Sequence, residues 1–183
     1  MPFAADAYSP EVAEILELDG GGERPMPLAF GHCSSPRALE LLRPATAKQL
    51  FPASRAPEAA LAGLYLYFSC LEEAHSIAQN LHTPEGSFWH GILHRREPDP
   101  GNAAYWFRRV GEHPIFPELR RAALQIGLRV GDRWDPFRFI EYCEQARRMP
   151  GSEEEKIALQ VQLAEWQLLF DYCAARVPAK VKA

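Results

Sequence analysis

Apolar residues recur along most of this chain at spacings of three and four, the period of a helix that buries one face. Ile157, Val161, Ala164, Leu168 and Tyr172 draw one such stripe along the C-terminal stretch. From Leu61 to Leu71 the pattern changes to Leu-Ala-Gly-Leu-Tyr-Leu-Tyr-Phe-Ser-Cys-Leu, apolar on nearly every side. A helix of that kind belongs in the middle of a bundle. The following residues, Glu72 to Asn80, turn polar, as though the helix emerges from the core into a cleft or solvent. No segment alternates convincingly with period two, and the best strand candidate is the short Met26–Ala29.

Prolines mark where the helices start. Ser9-Pro10, Ser35-Pro36, Thr83-Pro84, Asp99-Pro100 and Asp135-Pro136 each set a capping oxygen before a proline. The side chain accepts a free backbone N–H, and proline at the first helical position sacrifices no hydrogen bond. Ala56-Pro57 and Phe116-Pro117 are weaker versions, and Ser152 with Glu155 has the spacing of a capping box. Gly20 and Gly111 suit left-handed C-caps, and Pro44 and Pro150 forbid continuation. The pattern predicts helices over about 10–18, 36–43, 57–81, 84–96, 100–110, 117–130, 136–148 and 153–176. The expected fold is all-α: an irregular bundle of about eight helices around the buried 57–81 helix.

The length of 183 residues fits one domain spanning 1–183, with frayed ends at 1–8 and 177–183. The stretch Leu18–Pro27 is rich in glycine and reads as a mobile loop. Hydrophobic residues make up 47% and charged ones 24%, so the chain can build a core without staples. The net charge of −4 disfavours general nucleic-acid binding. The 61–71 run is too short for a membrane span, and Met1–Pro10 lacks the pattern of a signal peptide. A soluble, cytoplasmic protein is expected. Cys33, Cys70, Cys143 and Cys173 form no C-x-x-C pair and read as reduced core residues. Cys33 follows His32, so a nucleophilic thiol is conceivable, but neighbours in sequence need not be neighbours in space.

One segment is chemically dense. Trp89 to His113 holds three of the six histidines, two of the four tryptophans and four arginines. It forms two helical arms bent at Pro98–Pro100. His90 and His94 lie one turn apart on the same face, the spacing by which a helix offers two imidazoles to zinc, and Glu97 continues that face. Glu97, His113 or Glu72 with His75 could complete such a set. Gly91 stands where a metalloprotease helix would carry its glutamate base, so that chemistry is excluded. Glu72-x-x-His75 is half of a di-iron carboxylate pattern and occurs once where two copies are needed.

Arg95, Arg96, Arg108 and Arg109 sit on the two arms and could frame an anion pocket. The competing reading pairs them internally with Glu72, Glu73, Glu97, Asp99 and Glu112, and it is favoured. Tyr105, Trp106 and Phe107 point in three directions, with two expected in the core and one at the cleft; Trp89 should pack beside Leu93. Asn102 and Tyr105 complete the candidate pocket.

The string Trp89-His90-x-x-x-His94-Arg95-Arg96-Glu97-x-Asp99-x-x-Asn102-Ala103-x-Tyr105-Trp106-Phe107-Arg108-Arg109-Val110-Gly111-x-His113-Pro114 resembles an uncharacterised family of bacterial and fungal proteins without an assigned activity. The resemblance covers about a seventh of the chain and implies a shared fold and site, without chemistry. Asn102–Glu112 is also similar to the second helix of a tetratricopeptide-like repeat, but one copy makes no array. Two functions follow as expectations. The first is a helical binding domain recognising a small anionic ligand or partner near 89–113. The second is an enzyme, metal-dependent or acid–base, using His90, His94 and Glu97 with a divalent metal as cofactor.

Overall fold

The computed structural model describes residues 8–177, and among them the chain forms ten helices and no strand. They are α1 Pro10–Glu17, α2 Pro36–Leu42, α3 Ala47–Leu50, α4 Pro57–Tyr67, α5 Leu71–Ala78, α6 Pro84–Arg96, α7 Pro100–Val110, α8 Phe116–Ile126, α9 Pro136–Ala146 and α10 Glu153–Ala174. The fold is all-α, as the periodicity implies. The ends expected to fray lie almost entirely outside the described residues.

The proline-led starts hold. Ser9, Ser35, Thr83, Asp99 and Asp135 each accept a backbone N–H from the first turn. Ala56 makes no side-chain cap. The Ser152–Glu155 box is only half formed: Ser152 accepts from the Glu155 N–H, while the Glu155 carboxylate takes the N–H of Gly151. A complete box occurs at Thr46 and Gln49, where it starts the short α3, a helix the sequence pattern did not bring out. The helix expected to run to 130 stops at Ile126, because Gly127 adopts a left-handed conformation.

The expected 57–81 helix is two helices. α4 ends in a complete Schellman turn: the Cys70 N–H bonds to the Tyr65 carbonyl and the Ser69 N–H to that of Leu66. Ser69 takes the left-handed position, φ +58°, normally given to glycine. That conformation costs a non-glycine residue about 1–2 kcal/mol. The offset comes from α6. The Arg96 guanidinium donates to the Leu66 carbonyl at 3.0 Å and to the Ser69 hydroxyl at 2.9 Å, and charged hydrogen bonds are worth roughly 1.5–3 kcal/mol each. Arg24 adds a bond to the Tyr67 carbonyl, so two cations meet the negative end of the α4 dipole.

α4 is the buried centre, with Ala59 to Tyr67 all buried. It packs against α3, α5, α6 and α10. Gly63 lets Trp89 of α6 come close, since a Cβ there would stand 2.8 Å from the indole. α6 and α7 approach equally closely through Gly91, whose Cβ would lie 2.8 Å from the Phe107 ring. This explains a glycine where a protease would need glutamate. α10 buries a different face from the expected one: Ala158, Val161, Gln162, Glu165, Trp166, Leu169, Phe170 and Cys173 point inward, while Ala164, Leu168 and Tyr172 are only half-buried. The large rings of Trp166 and Phe170 set the face, and two polar residues are carried in with them.

The glycine-rich 18–27 stretch is tied down. The Tyr67 hydroxyl donates to the Asp19 carbonyl and accepts from the N–H groups of Gly22 and Arg24. Gln167 and Gln162 donate to the carbonyls of Gly22 and Met26. Among the described residues no helix is long and apolar enough to cross a membrane.

Candidate metal centre

Three imidazoles converge where α5 meets α6. His75 comes from α5, and His90 and His94 come from one face of α6. One ligand nitrogen from each lies within 4.8 Å of the other two. His90 Nε2 and His75 Nε2 are 3.0 Å apart. Two nitrogens bound tetrahedrally at 2.0–2.1 Å from zinc would be separated by roughly 3.3 Å, so this pair already stands near a coordination edge.

Each ring is held differently. His90 is 3% exposed. It lies flat on Trp106 of α7, with centroids 3.9 Å apart, and stacks on His94 at 4.8 Å. Its Nδ1 is buried without a hydrogen-bond partner. Burial first, and then the neighbouring His75 and His94, push the His90 pKa down to about 3. His90 is therefore neutral at physiological pH, the form a metal requires. His75 and His94 are half-buried and open the cluster to solvent on one side.

His94 Nδ1 lies 2.8 Å from Glu97 Oε2, close enough to bond but poorly aligned. An N–H on Nδ1 directed at this carboxylate would fix the ring's tautomer and leave Nε2 unprotonated. Of the expected His90, His94 and Glu97, the two histidines converge with His75 rather than with the carboxylate, and Glu97 faces the Nδ1 side of His94, where a carboxylate can orient an imidazole.

The other candidates scatter. Arg95 is fully buried: it pairs with Glu165 of α10, one of its hydrogen bonds being 3.2 Å long, and reaches Gln162 at 3.4 Å. Arg96 is equally buried and caps α4. Neither can meet a ligand, and the anion pocket built on four arginines does not form. The partners are also not those expected, since none of Glu72, Glu73, Glu97, Asp99 or Glu112 pairs with either residue. Glu72 is exposed, and Glu73 bonds to Arg43.

Asn102 is occupied with the Asp99 cap. His113 is buried among Phe88, Phe116 and Tyr172, and burial lowers its pKa; it packs as a core ring. Tyr105 is 46% exposed and touches Trp106 edge-on. Of the three consecutive aromatics, only Phe107 enters the core, while Trp106 floors the histidine cluster. Arg109 places its guanidinium 5.4 Å from the Trp106 ring. Arg108 is exposed and lines a separate cleft with Phe107, Glu112, Phe116, Arg133 and Trp134 that no histidine enters.

Trp106 enters the sequence reading only as one of three aromatics, one of them expected at the cleft; Gln162 and Glu165 do not enter it at all. Helical geometry could have hinted at the last two, because they flank Trp166 on a face of large apolar side chains. The stacking of Trp106 on His90 depends on the angle between two helices and leaves no mark in sequence. No family model, curated protein or solved structure matches the chain.

Proposed function

We propose that the protein is metal-dependent, binding one divalent transition-metal ion of the zinc class through His75, His90 and His94. The convergence of three imidazoles from two helices, one of them buried and neutral, carries the reading. Imidazole sets of this kind suit zinc, copper, iron and nickel. Three protein ligands leave a position open, which separates catalytic from closed structural sites. An ion there supplies Lewis acidity to whatever fills that position.

The surrounding residues have definite parts. Glu97 fixes the tautomer of His94 once the two align. Trp106 shields one face of the cluster from water. Arg109, exposed and near that indole, adds positive charge beside the cluster and would favour an anionic substrate or ligand. This is what remains of the anion-pocket reading.

Metal analysis after loading with zinc or cobalt and exhaustive dialysis tests the proposal. One equivalent per chain should be retained, and His75→Ala, His90→Ala and His94→Ala should each abolish retention. Glu97→Gln should weaken affinity by roughly 10–100-fold, as removal of an orienting carboxylate does elsewhere. Retention of no ion by a folded protein, or equal loss in His113→Ala, overturns it.

A further inference from the structure

Away from the histidines, Cys33 and Cys70 face one another with sulfurs 2.6 Å apart. Cys33 lies in the segment before α2, and Cys70 occupies the N-cap position of α5. The contact is closer than two unbonded sulfurs comfortably approach, and about half an ångström beyond a disulfide bond of ~2.05 Å. The backbones beside them are already joined, since the Ser34 N–H donates to the Phe68 carbonyl at 2.7 Å. Bringing the sulfurs into covalent reach therefore asks little of the main chain. Cys33 is half-buried and reachable, whereas Cys70 is 3% exposed. Cys143 and Cys173 are wholly inaccessible.

We propose that Cys33 and Cys70 are a reversible redox pair, oxidised to an intramolecular disulfide by a low-molecular-weight disulfide. The asymmetry in exposure sets the order of events. Cys33, as its thiolate, attacks one sulfur of the small disulfide, whose S–S bond breaks and releases one small thiolate. The product is a mixed disulfide on Cys33. Cys70 then loses its proton to solvent and attacks the Cys33 sulfur, expelling the second small thiolate. Two protein thiols are oxidised to one disulfide, one small disulfide is reduced to two thiols, and the two protons lost by the protein balance those taken up by the released thiolates. Burial raises the Cys70 pKa, so the second step is the slow one and quickens with pH.

The consequence is mechanical. A bond at Cys70 ties the N-cap residue of α5, next to the α4–α5 turn, to the segment before α2. The latch stands independently of metal binding.

The test is incubation of the folded full-length protein with excess glutathione disulfide at mildly alkaline pH, followed by acid quenching, thiol counting under denaturing conditions and peptide mass mapping. The four thiols should fall to two, with the Cys33 and Cys70 peptides joined and lighter by two hydrogens. Glutathione should reverse the change. Cys70→Ser should halt at one glutathione adduct on Cys33, and Cys33→Ser should keep all three remaining thiols. A wild-type product that keeps four thiols, carries glutathione on Cys33 without the cross-link, or joins other cysteines overturns the proposal.

Discussion

Two polar clusters sit on the same helix, α6, and differ in how completely they are satisfied. On one side, Arg95 and Arg96 are sealed from water, yet their terminal nitrogens meet a carboxylate, an amide oxygen, a carbonyl and a hydroxyl. On the other, His90 is nearly as buried but leaves Nδ1 without a partner, and its Nε2 meets only another imidazole. Each cluster leaves a buried nitrogen unpaired, Nε of both arginines and Nδ1 of His90, but the charged ends of the arginines are met by oxygens, as buried polar groups normally are, while His90 has no oxygen partner at either nitrogen. That difference of degree is what supports seeking the proposed chemistry at the imidazoles rather than the guanidiniums.

The sharpest way to break the comparison is through Glu165. Glu165→Ala leaves Arg95 charged and unpaired inside the core, and should cost about 3–5 kcal/mol in denaturant titrations. Replacing both partners, as Arg95→Met with Glu165→Leu, should recover most of that loss. If the single substitution is tolerated like a surface change, the guanidinium side is not structural. Arg96→Met removes the clamp on the α4–α5 turn and should cost roughly 2–3 kcal/mol, read in the same way.

The imidazole side should respond in the reverse sense. His75→Ala should move metal-free stability by no more than ~1 kcal/mol while eliminating the bound ion. Acid supplies a further distinction. His90 titrates near 3 in the fold and near 6.5 when unfolded, so between these values the unfolded chain takes up a proton that the native one refuses. Metal-free stability is thus complete above pH 6.5, falls as the pH drops towards 3, and should fall less in His90→Gln. The smallest effect belongs to Arg109→Ala, which removes a partly exposed cation–π contact worth about 0.5–1 kcal/mol and should leave metal content intact.

Much of the fold could be read in advance because its starts are written in local chemistry. Capping oxygens before prolines act within one turn and need no knowledge of the rest of the chain. The break at Ser69 was hidden because the left-handed residue is not glycine; what permits it is an arginine 27 positions away. The inward face of α10 was misjudged for a similar reason, since Glu165 looks like a solvent residue until Arg95 arrives from α6. The candidate site was half legible. Spacing identified His90 and His94 as a pair and left His75 as one of several third members. Choosing among those needed the angle at which α5 leaves the turn, which the sequence does not state.

The two glycine contacts on either side of His90 have a bearing on any ion that enters. Trp89 packs closely onto Gly63 and Gly91 onto Phe107, so the stretch of backbone carrying His90 is packed tightly on both sides. His75 stands on a separate eight-residue helix beyond a turn. Under the proposed metal binding, the α5 ligand would be the one to adjust its distance from a fixed anchor, and ions of different radius would be told apart by how far that short helix has to shift.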